Sequence, residues 1–345
     1  MDRRRFLNRT GQLGLAAGAA AVFDGVVAGD AWAAQQPGAA DRSGTAAGGL
    51  LTPNRFDYLP ITERPVIKWP NNARVAFWVA PNIEFYEYLP LRSPTRPDVA
   101  SYSYRDRGNR HGFWRMLEVM DQHHIRCCVC LNAGVLDHCP EIREAMVARN
   151  WDYMAHGFYN TRPITDYTVE EERAYWRDMI ATVKKHTGKQ IKGRLGAGGG
   201  NTLATPDLMA EFGLTYHTEW TIDDQPVPLK VKNGAKFIHV PYTFQLNDAR
   251  LQREYRDAAY FSQMIKDQFD VLYEEGATSG KVMCLALHPF FIGSAGRARY
   301  LDEALAHIRS HDAVWHTTAD DIADYYMANY FDTVSAYLAQ QTRKA

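Results

Sequence analysis

Eight polar side chains share a position in this sequence, because each stands at or shortly after the end of a segment that reads as a buried β-strand. They are Asn82, Glu84, His156, Asn160, Arg194, Asp223, Asp224 and His288. The carboxyl ends of parallel strands meet at one rim, where barrel enzymes build their active sites. Any one of these residues alone is weak evidence. Their common placement is what predicts a functional site.

The residue types suit hydrolysis at a carbonyl group, which needs an activated water, oxyanion stabilisation and an acid for the leaving nitrogen. Glu84 with His156 could hold a divalent metal that acidifies water and polarises the carbonyl. His288 could protonate the departing amine, because the pKa of histidine lies near working pH. Arg194 could orient a carboxylate or bind an anionic substrate group through two hydrogen bonds. We therefore predict catalytic roles for Glu84, His288 and Arg194.

Strand and helix signals alternate along the chain from residue 71 onward. Apolar runs predict seven strands, at 74–80, 125–131, 151–155, 191–195, 214–220, 281–287 and 313–316, with a further segment at 237–240. The clearest helix, 168–185, begins with a capping box of Thr168 and Glu171 and ends before Gly188. This alternation predicts an α/β fold of parallel βαβ units, as an open sheet or a barrel. The glycine cluster at 193–200 lacks a P-loop lysine, which argues against a nucleotide-binding fold.

Composition excludes several classes of protein. The 345 residues carry 39 Lys and Arg against 40 Asp and Glu, so the formal charge of −1 leaves no basic excess for nucleic acid. The same balance argues against a polybasic membrane patch. The load of 8 Trp and 19 Tyr suits a large core or a pocket with aromatic walls. The 5 cysteines are an odd number with three in one apolar strand, so we expect buried thiols rather than disulfides or a zinc site.

The amino-terminal segment is typical of a twin-arginine export signal. Arg3 and Arg4 precede an Ala- and Gly-rich apolar stretch, and Ala31 to Ala33 offer small residues around a cleavage point. We therefore expect a leader at 1–33, export to the periplasm and no transmembrane span in the mature protein. Residues 34–70 are predicted to be a linker and an amino-terminal arm, 71–327 the catalytic domain and 328–345 a carboxyl-terminal tail.

Several short motifs occur in the order of a known family. They are Trp69-Pro70-Asn71, Pro81-Asn82-Ile83-Glu84, Gly108-Asn109-Arg110, Ala155-His156-Gly157 with Asn160, Asp223-Asp224-Gln225-Pro226 and Leu287-His288-Pro289-Phe290. Over residues 70–327 the chain resembles the polysaccharide deacetylase, or NodB-homology, superfamily. The branch it resembles contains metal-independent allantoinase analogues, cyclic imide hydrolases and related deacetylase-like proteins. The resemblance implies a distorted (β/α)7 barrel, in agreement with the predicted strands.

The departures from that family's pattern concern the metal. Sugar deacetylases of the superfamily usually carry two Asp after the first strand, one a base and one a metal ligand, where this chain has Asn82 and Glu84. The second metal histidine is replaced by Asn160, whose amide oxygen is a weaker zinc ligand. The resemblance implies either a weakened zinc site of Glu84, His156 and Asn160, or a metal-independent enzyme. The remaining positions are predicted to bind substrate. They are Asn82, Arg110, Asp223 and Asp224.

Three functions fit these observations. The first is hydrolysis of a non-peptide carbon–nitrogen bond in a small cyclic imide, ureide or amide. The second is deacetylation of N-acetylated cell-wall or chito-oligosaccharides, which export to the periplasm favours. The third is a non-catalytic barrel that binds a glycan or solute. The expected partner is thus a small-molecule or oligosaccharide substrate. The resemblance also leaves a homo-oligomer open without setting its number of subunits.

Overall fold

The computed structural model describes residues 54–88, 99–251 and 257–342, which contain nine β-strands joined in one sheet. In chain order they are β1 (Val75–Ile83), β2 (Cys128–Leu131), β3 (Asp152–Ala155), β4 (Gly193–Arg194), β5 (Tyr216–His217), β6 (Val227–Pro228), β7 (Ile238–His239), β8 (Lys281–Leu287) and β9 (Val314–Thr317). All seven predicted strands are present, and the further segment at 237–240 contains β7. The predicted α/β class is confirmed.

Strand β1 pairs with three other strands, and all of its residues are buried. The order across the sheet is β6-β7-β5-β4-β3-β2-β1-β8, and β9 pairs with β1. Strand β8 runs parallel to β1 along one edge, from Val75 to Pro81. The other edge pairs first with β9 and then, at Asn82 and Ile83, with β2. This change of partner along one edge lets the sheet curl unevenly.

The described strands are parallel except for β6, which runs antiparallel to β7. The chain after β7 then reaches the free edge of β8, where Asn247 forms a bridge with Ala286. Nearby, the Thr243 hydroxyl accepts a hydrogen bond from the Cys284 amide at 3.1 Å. These contacts bring the two ends of the curled sheet together, in agreement with the predicted distorted barrel.

Helices connect most neighbouring strands. They are α1 (Val99–Arg107), α2 (Phe113–Gln122), α3 (Gly134–His138), α4 (Pro140–Ala148), α5 (Val169–Thr187), α6 (Thr205–Glu211), α7 (Asp248–Leu251), α8 (Ala258–Glu275), α9 (Pro289–Ile292), α10 (Ala295–Arg309), α11 (Ala319–Asn329) and α12 (Phe331–Thr342). Helix α5 carries the predicted capping box of Thr168 and Glu171, and Gly188 ends it in the left-handed conformation with φ of 74°.

The two faces of the sheet are buried in different surroundings, because side chains alternate along a strand. From β1, Val75, Phe77 and Val79 belong to the larger apolar cluster, which includes the helices α2, α5, α8 and α10. The alternate residues Ala76 and Trp78 join a second cluster with inward-facing side chains of β2, β3, β5 and β8. All five cysteines are free, and four of them are fully buried. The expectation of buried thiols without a disulfide is confirmed.

Both ends of the described chain pack on the barrel. In the arm, Arg55 donates two hydrogen bonds to Asp207, and the Trp69 indole donates to the Lys281 carbonyl at 2.8 Å. The segment predicted as a tail contains α12, which buries Val334 and Leu338. No helix in the described ranges is long and apolar enough to cross a membrane. The predicted leader at 1–33 and the linker up to residue 53 lie outside the described residues.

Candidate active site at the carboxyl ends of the strands

Glu84, directly after β1, lies at the centre of a buried polar cluster. Its Oε1 atom is 3.4 Å from His156 Nε2 and 3.7 Å from His288 Nε2. Its Oε2 atom accepts a hydrogen bond from the Tyr86 hydroxyl at 2.7 Å. The structure therefore brings together the carboxylate and both imidazoles that the strand-end argument predicts.

Asp248, which was not predicted from the sequence, forms two hydrogen bonds with His288. The Asp248 carboxylate accepts the His288 backbone N–H at 2.9 Å and its ring Nδ1–H at 2.7 Å. Both side chains are buried. Donation from Nδ1 sets the ring orientation and leaves Nε2 facing Glu84. Asp248 begins α7 after the segment at 237–240, and examining the end of that extra strand could have found it.

His156 is fixed by backbone contacts from two neighbouring strands. Its Nδ1 donates a hydrogen bond to the Leu195 carbonyl at 2.6 Å, because a carbonyl oxygen can only accept. The side chain of Asn132, after β2, accepts from the Phe85 amide at 3.0 Å and donates to the His156 carbonyl at 2.6 Å. Asn132 therefore ties together the loops that carry Glu84 and His156.

The electrostatics of the cluster separate the pKa values of its acid and its base. Burial alone would raise the pKa of Glu84, but the charge of His288, the hydrogen bond and charge of His156 and the charge of Arg105 lower it to about 2. Burial alone would lower the pKa of His288, but the charges of Asp248 and Glu84 outweigh it and raise that pKa. The cluster thus favours an ionised Glu84 beside a protonated His288.

The three side chains predicted to hold a metal do not converge on one point. Tyr86 lies between Glu84 and Asn160, because its hydroxyl also accepts a hydrogen bond from Asn160 Nδ2 at 2.6 Å. A catalytic zinc ion needs three protein ligands, and of this set only Glu84 and His156 approach each other. His288 does not complete the set, because Glu84, His156 and His288 are not among the described groups of three His, Cys, Asp or Glu ligand atoms that lie within 4.8 Å of one another. As placed, the three predicted ligands do not form a closed zinc site.

Asn82, near the end of β1, contacts backbone and side-chain oxygens of the sheet. Its Nδ2 atom lies 3.3 Å from the carbonyls of Ala80 and Leu287 and 3.2 Å from the hydroxyl of Tyr242. The side chain is buried. These contacts join β1 to β8 one residue before His288, and the role predicted for Asn82 in substrate binding stays a prediction.

Arg194, at the end of β4, is the third residue predicted to be catalytic. Its buried guanidinium pairs with Glu219, whose carboxylate accepts the Gly196 backbone N–H at 2.8 Å. The intervening residue is Leu195, whose carbonyl orients His156. The charge of Arg194 is thus paired inside the protein, next to the loop that orients His156, and its catalytic role stays a prediction.

The remaining predicted substrate ligands contact partners other than Glu84. The side chain of Arg110 is 73% exposed and pairs with Asp106 on its own helical turn. Asp223 pairs with Arg64. The carbonyl of Asp224 accepts a hydrogen bond from the Val282 amide at 2.8 Å. Val282 lies on β8, six residues before His288. At roughly 3.3 Å per residue, this contact lies about 20 Å along the strand from the site.

The motif at 108–110 contributes through its first two residues. The Asn109 side chain donates to the Glu84 carbonyl at 2.9 Å and so fixes the end of β1. Gly108 and Gly112 belong to the helical turn Gly108–Gly112 between α1 and α2. They allow the turn after His288 to pack closely against it. A Cβ atom on Gly112 would stand only 2.0 Å from the Pro289 carbonyl oxygen, and one on Gly108 only 2.8 Å from the Phe290 nitrogen.

Gly112→Ala is expected to lower kcat about 100-fold and to destabilise the protein by roughly 1–3 kcal/mol, because the new methyl group pushes the turn carrying His288 out of position. The measurements are steady-state kinetics and urea unfolding. Gly296→Ala is the matched control, since a Cβ there meets nothing within 4 Å. Equal behaviour of the two variants would contradict this role for Gly112.

Arg105, on α1, brings a positive charge to the rim of the site. Its guanidinium carbon lies 4.3 Å from the ring centre of Phe290 and 5.0 Å from that of Tyr86. None of the described carboxylates forms a salt bridge with it. Stacking between two aromatic faces holds the guanidinium in place while its N–H donors stay available. Arg105 is not among the residues predicted from the sequence, because nothing in its local pattern distinguishes it from Arg107 or Arg110.

This fold and site define a deacetylase-like hydrolase. Residues 93–217 match the sequence family described as "Polysaccharide deacetylase". The match includes His156 and Arg194. Glu84 and His288 lie on either side of it.

Individual relatives extend the similarity to most of the chain. A Schizosaccharomyces pombe protein named as a polysaccharide deacetylase is 26% identical over 312 residues, covering 79% of this chain and 95% of the relative. The crystal structure titled Puue allantoinase is 26% identical, with a TM-score of 0.72, covering 78% of this chain and 95% of its own. A Pseudomonas aeruginosa PAO1 structure, titled as a polysaccharide deacetylase, is 26% identical with a TM-score of 0.71, covering 78% and 96%. The expected distorted barrel is confirmed.

Proposed function

We propose that this protein hydrolyses a non-peptide carbon–nitrogen bond in a small cyclic imide, ureide or amide. The observation that carries the proposal is the position of His288 between two carboxylates. Its Nδ1 donates a hydrogen bond to Asp248 at 2.7 Å, and its Nε2 lies 3.7 Å from Glu84 Oε1. It sets a carboxylate base beside a protonated acid. Hydrolysis of an amide requires these two states at the same time.

The reaction follows from these two groups. Glu84 accepts a proton from water, whose oxygen attacks the carbonyl carbon to form a tetrahedral oxyanion. His288 donates its Nε2 proton to the nitrogen as the carbon–nitrogen bond breaks, and Asp248 stabilises the imidazolium before the transfer. One water is consumed, and the proton taken up by Glu84 returns to His288 Nε2, 3.7 Å away, which restores both groups. The products are a carboxylic acid and an amine or amide, joined in one molecule when the substrate is cyclic.

The enclosure of the site supports a small substrate. The side chains of His288 and Glu84 are 9% and 6% exposed, so they offer little open surface to an extended glycan chain. The near-zero net charge offers no charged groove for a polymer. The relative titled allantoinase supports the same reading, because that name designates an enzyme of a cyclic ureide.

Arg105 is suited to bind the electron-rich oxygens of such a substrate. Arg105→Met is expected to raise KM about 10-fold, equivalent to roughly 1.4 kcal/mol, with a smaller change in kcat. Steady-state kinetics measures this. Arg110→Met is the matched control, because that arginine belongs to the next helical turn but is exposed and paired with Asp106. If both variants raise KM equally, Arg105 is not a substrate ligand.

The first alternative is a periplasmic deacetylase of N-acetylated polysaccharides or chito-oligosaccharides. The names of the yeast and Pseudomonas relatives favour it. Its acetamide bond needs the same base and acid, so the site chemistry alone does not separate the two enzymes. The second alternative is a binding barrel without catalysis, for which loss of His288 would leave function unchanged.

The decisive experiment is a panel of cyclic imides, ureides and N-acetylated sugars, assayed with and without a chelator. The proposal expects ring opening of at least one cyclic substrate, no acetate release from the sugars and no loss on chelation. Acetate release without ring opening would establish the deacetylase instead. Activity that a chelator removes and Zn²⁺ restores would overturn the metal-independent mechanism.

We also propose that the twin-arginine leader exports the protein to the periplasm. Changing Arg3 and Arg4 to Lys is expected to retain the protein in the cytoplasm with its leader attached. Cell fractionation and the mass of the mature amino terminus measure this. The control is a change of Arg5 and Arg9 to Lys, which leaves the pair intact.

A further inference from the structure

Three metal-ligating side chains meet on the outer surface between α8 and α10, in a cluster that the proposed reaction does not use. Asp270 lies on α8, His307 on α10 and His311 just after it. One ligand atom from each lies within 4.8 Å of the other two. We propose that this Asp270–His307–His311 cluster is a binding site for a transition-metal dication such as Zn²⁺.

The hydrogen bonds of the cluster suit coordination. His311 Nδ1 donates to the His307 carbonyl at 2.9 Å, which leaves the Nε2 lone pair of His311 available to a metal. The Asp270 Oδ1 atom lies 2.7 Å from His307 Nε2, as in a hydrogen bond. A cation would replace the proton shared by these two atoms. Two imidazoles and one carboxylate form a ligand set that zinc prefers over magnesium or calcium, which favour oxygen.

The ligands are held in place before any metal binds. His307 lies in the last turn of α10 and His311 just after it, and their ring centroids are 4.8 Å apart. On α8, the Phe269 ring packs against both imidazoles, with centroids 5.9 and 5.0 Å away, and Tyr273 lies 5.1 Å from His311. The side chain of Asp270 is 54% exposed, so solvent can supply the fourth ligand.

The cluster lies at the opposite end of the barrel from Glu84. His311 precedes β9, whose first residue Val314 pairs with Val75 at the start of β1. Glu84 is nine residues further along that segment, or roughly 30 Å at 3.3 Å per residue. A metal here would therefore not enter the reaction. It would cross-link α8 to α10, which pack side by side, and stabilise the barrel by binding only the folded chain.

The test is Co²⁺ and Zn²⁺ binding to the metal-free full-length protein. We expect one bound equivalent by calorimetry, a visible Co²⁺ spectrum of four-coordinate type and a rise in Tm of roughly 5 °C at saturating Zn²⁺. His311→Ala should lose all three responses and retain hydrolytic activity. His123→Ala is the matched control, because His123 pairs with Asp302 of the same helix α10 without a second histidine.

Asp270→Asn provides a second variant that keeps the size of an exposed side chain and so does not endanger folding. It should weaken Zn²⁺ binding at least about tenfold, since an amide oxygen is a weaker ligand than a carboxylate. The proposal is overturned if the wild-type protein binds no equivalent. It is also overturned if His311→Ala and Asp270→Asn bind as the wild type does, which would place any bound metal elsewhere.

Discussion

Glu84→Gln is expected to lower kcat/KM for carbon–nitrogen hydrolysis by at least about 1000-fold while leaving the fold intact. The amide keeps the shape of the side chain and can still accept the hydrogen bond from Tyr86. It removes the base that takes the proton from water, and general-base catalysis contributes about 10²–10⁴-fold. It also removes the negative charge that helps to keep His288 protonated. Initial rates on the best substrate of the panel measure the loss.

Glu87→Gln is the matched control for this variant. Glu87 lies three residues further along the same loop, and its carboxylate pairs with Arg162 and Thr161. We expect a change of less than about twofold, because surface ion pairs contribute little. Near-wild-type activity of Glu84→Gln, with circular dichroism and urea unfolding unchanged, would exclude Glu84 as the base and remove the main support for the proposed function.

The second large effect is expected at His288. His288→Ala should lower kcat about 10²–10⁴-fold, because the leaving nitrogen loses its proton donor. The loss should be smaller for a substrate whose leaving nitrogen is already a good leaving group. A substrate whose nitrogen leaves without being protonated should keep most of its kcat in the variant. Equal losses on all substrates would indicate that His288 has only a structural role.

The pH profile tests the same residue without removing it. The pKa of His288 is raised, so the imidazolium persists to a higher pH than in an ordinary histidine. Activity should therefore hold below that pKa and fall as the pH rises through it. The pKa of Glu84 is about 2, so the carboxylate stays ionised down to strongly acidic pH and the acidic limb should lie far below neutrality.

Asp248→Asn should move the basic limb to lower pH, because the anion that stabilises the imidazolium is lost. The full kcat/KM profile of both proteins measures the displacement. At acidic pH the variant should approach the wild-type rate more closely than at alkaline pH. A profile that keeps its position but falls uniformly would show that Asp248 orients the ring without setting its pKa.

Local sequence patterns were sufficient to predict most of the fold. The apolar runs and the capping box at Thr168 identify strands and helices because burial periodicity and helix capping depend on residues close together in the chain. Residues immediately after β1, β3 and β8 could also be placed correctly. Glu84, His156 and His288 meet because each follows a parallel strand of the same sheet. The carboxyl ends of these strands lie at one rim.

The sequence by itself thus determined the alternation of elements, the barrel class and the central carboxylate with its two imidazoles. Only the tertiary structure decided which other charges reach them. Asp248 and Arg105 come to the site from loops and helices, and Arg110 is turned to solvent. Arg194 and Asp223 are paired with Glu219 and Arg64. The physical reason is that a charge needs a nearby partner or water, and its partner is set by three-dimensional packing that local spacing does not encode.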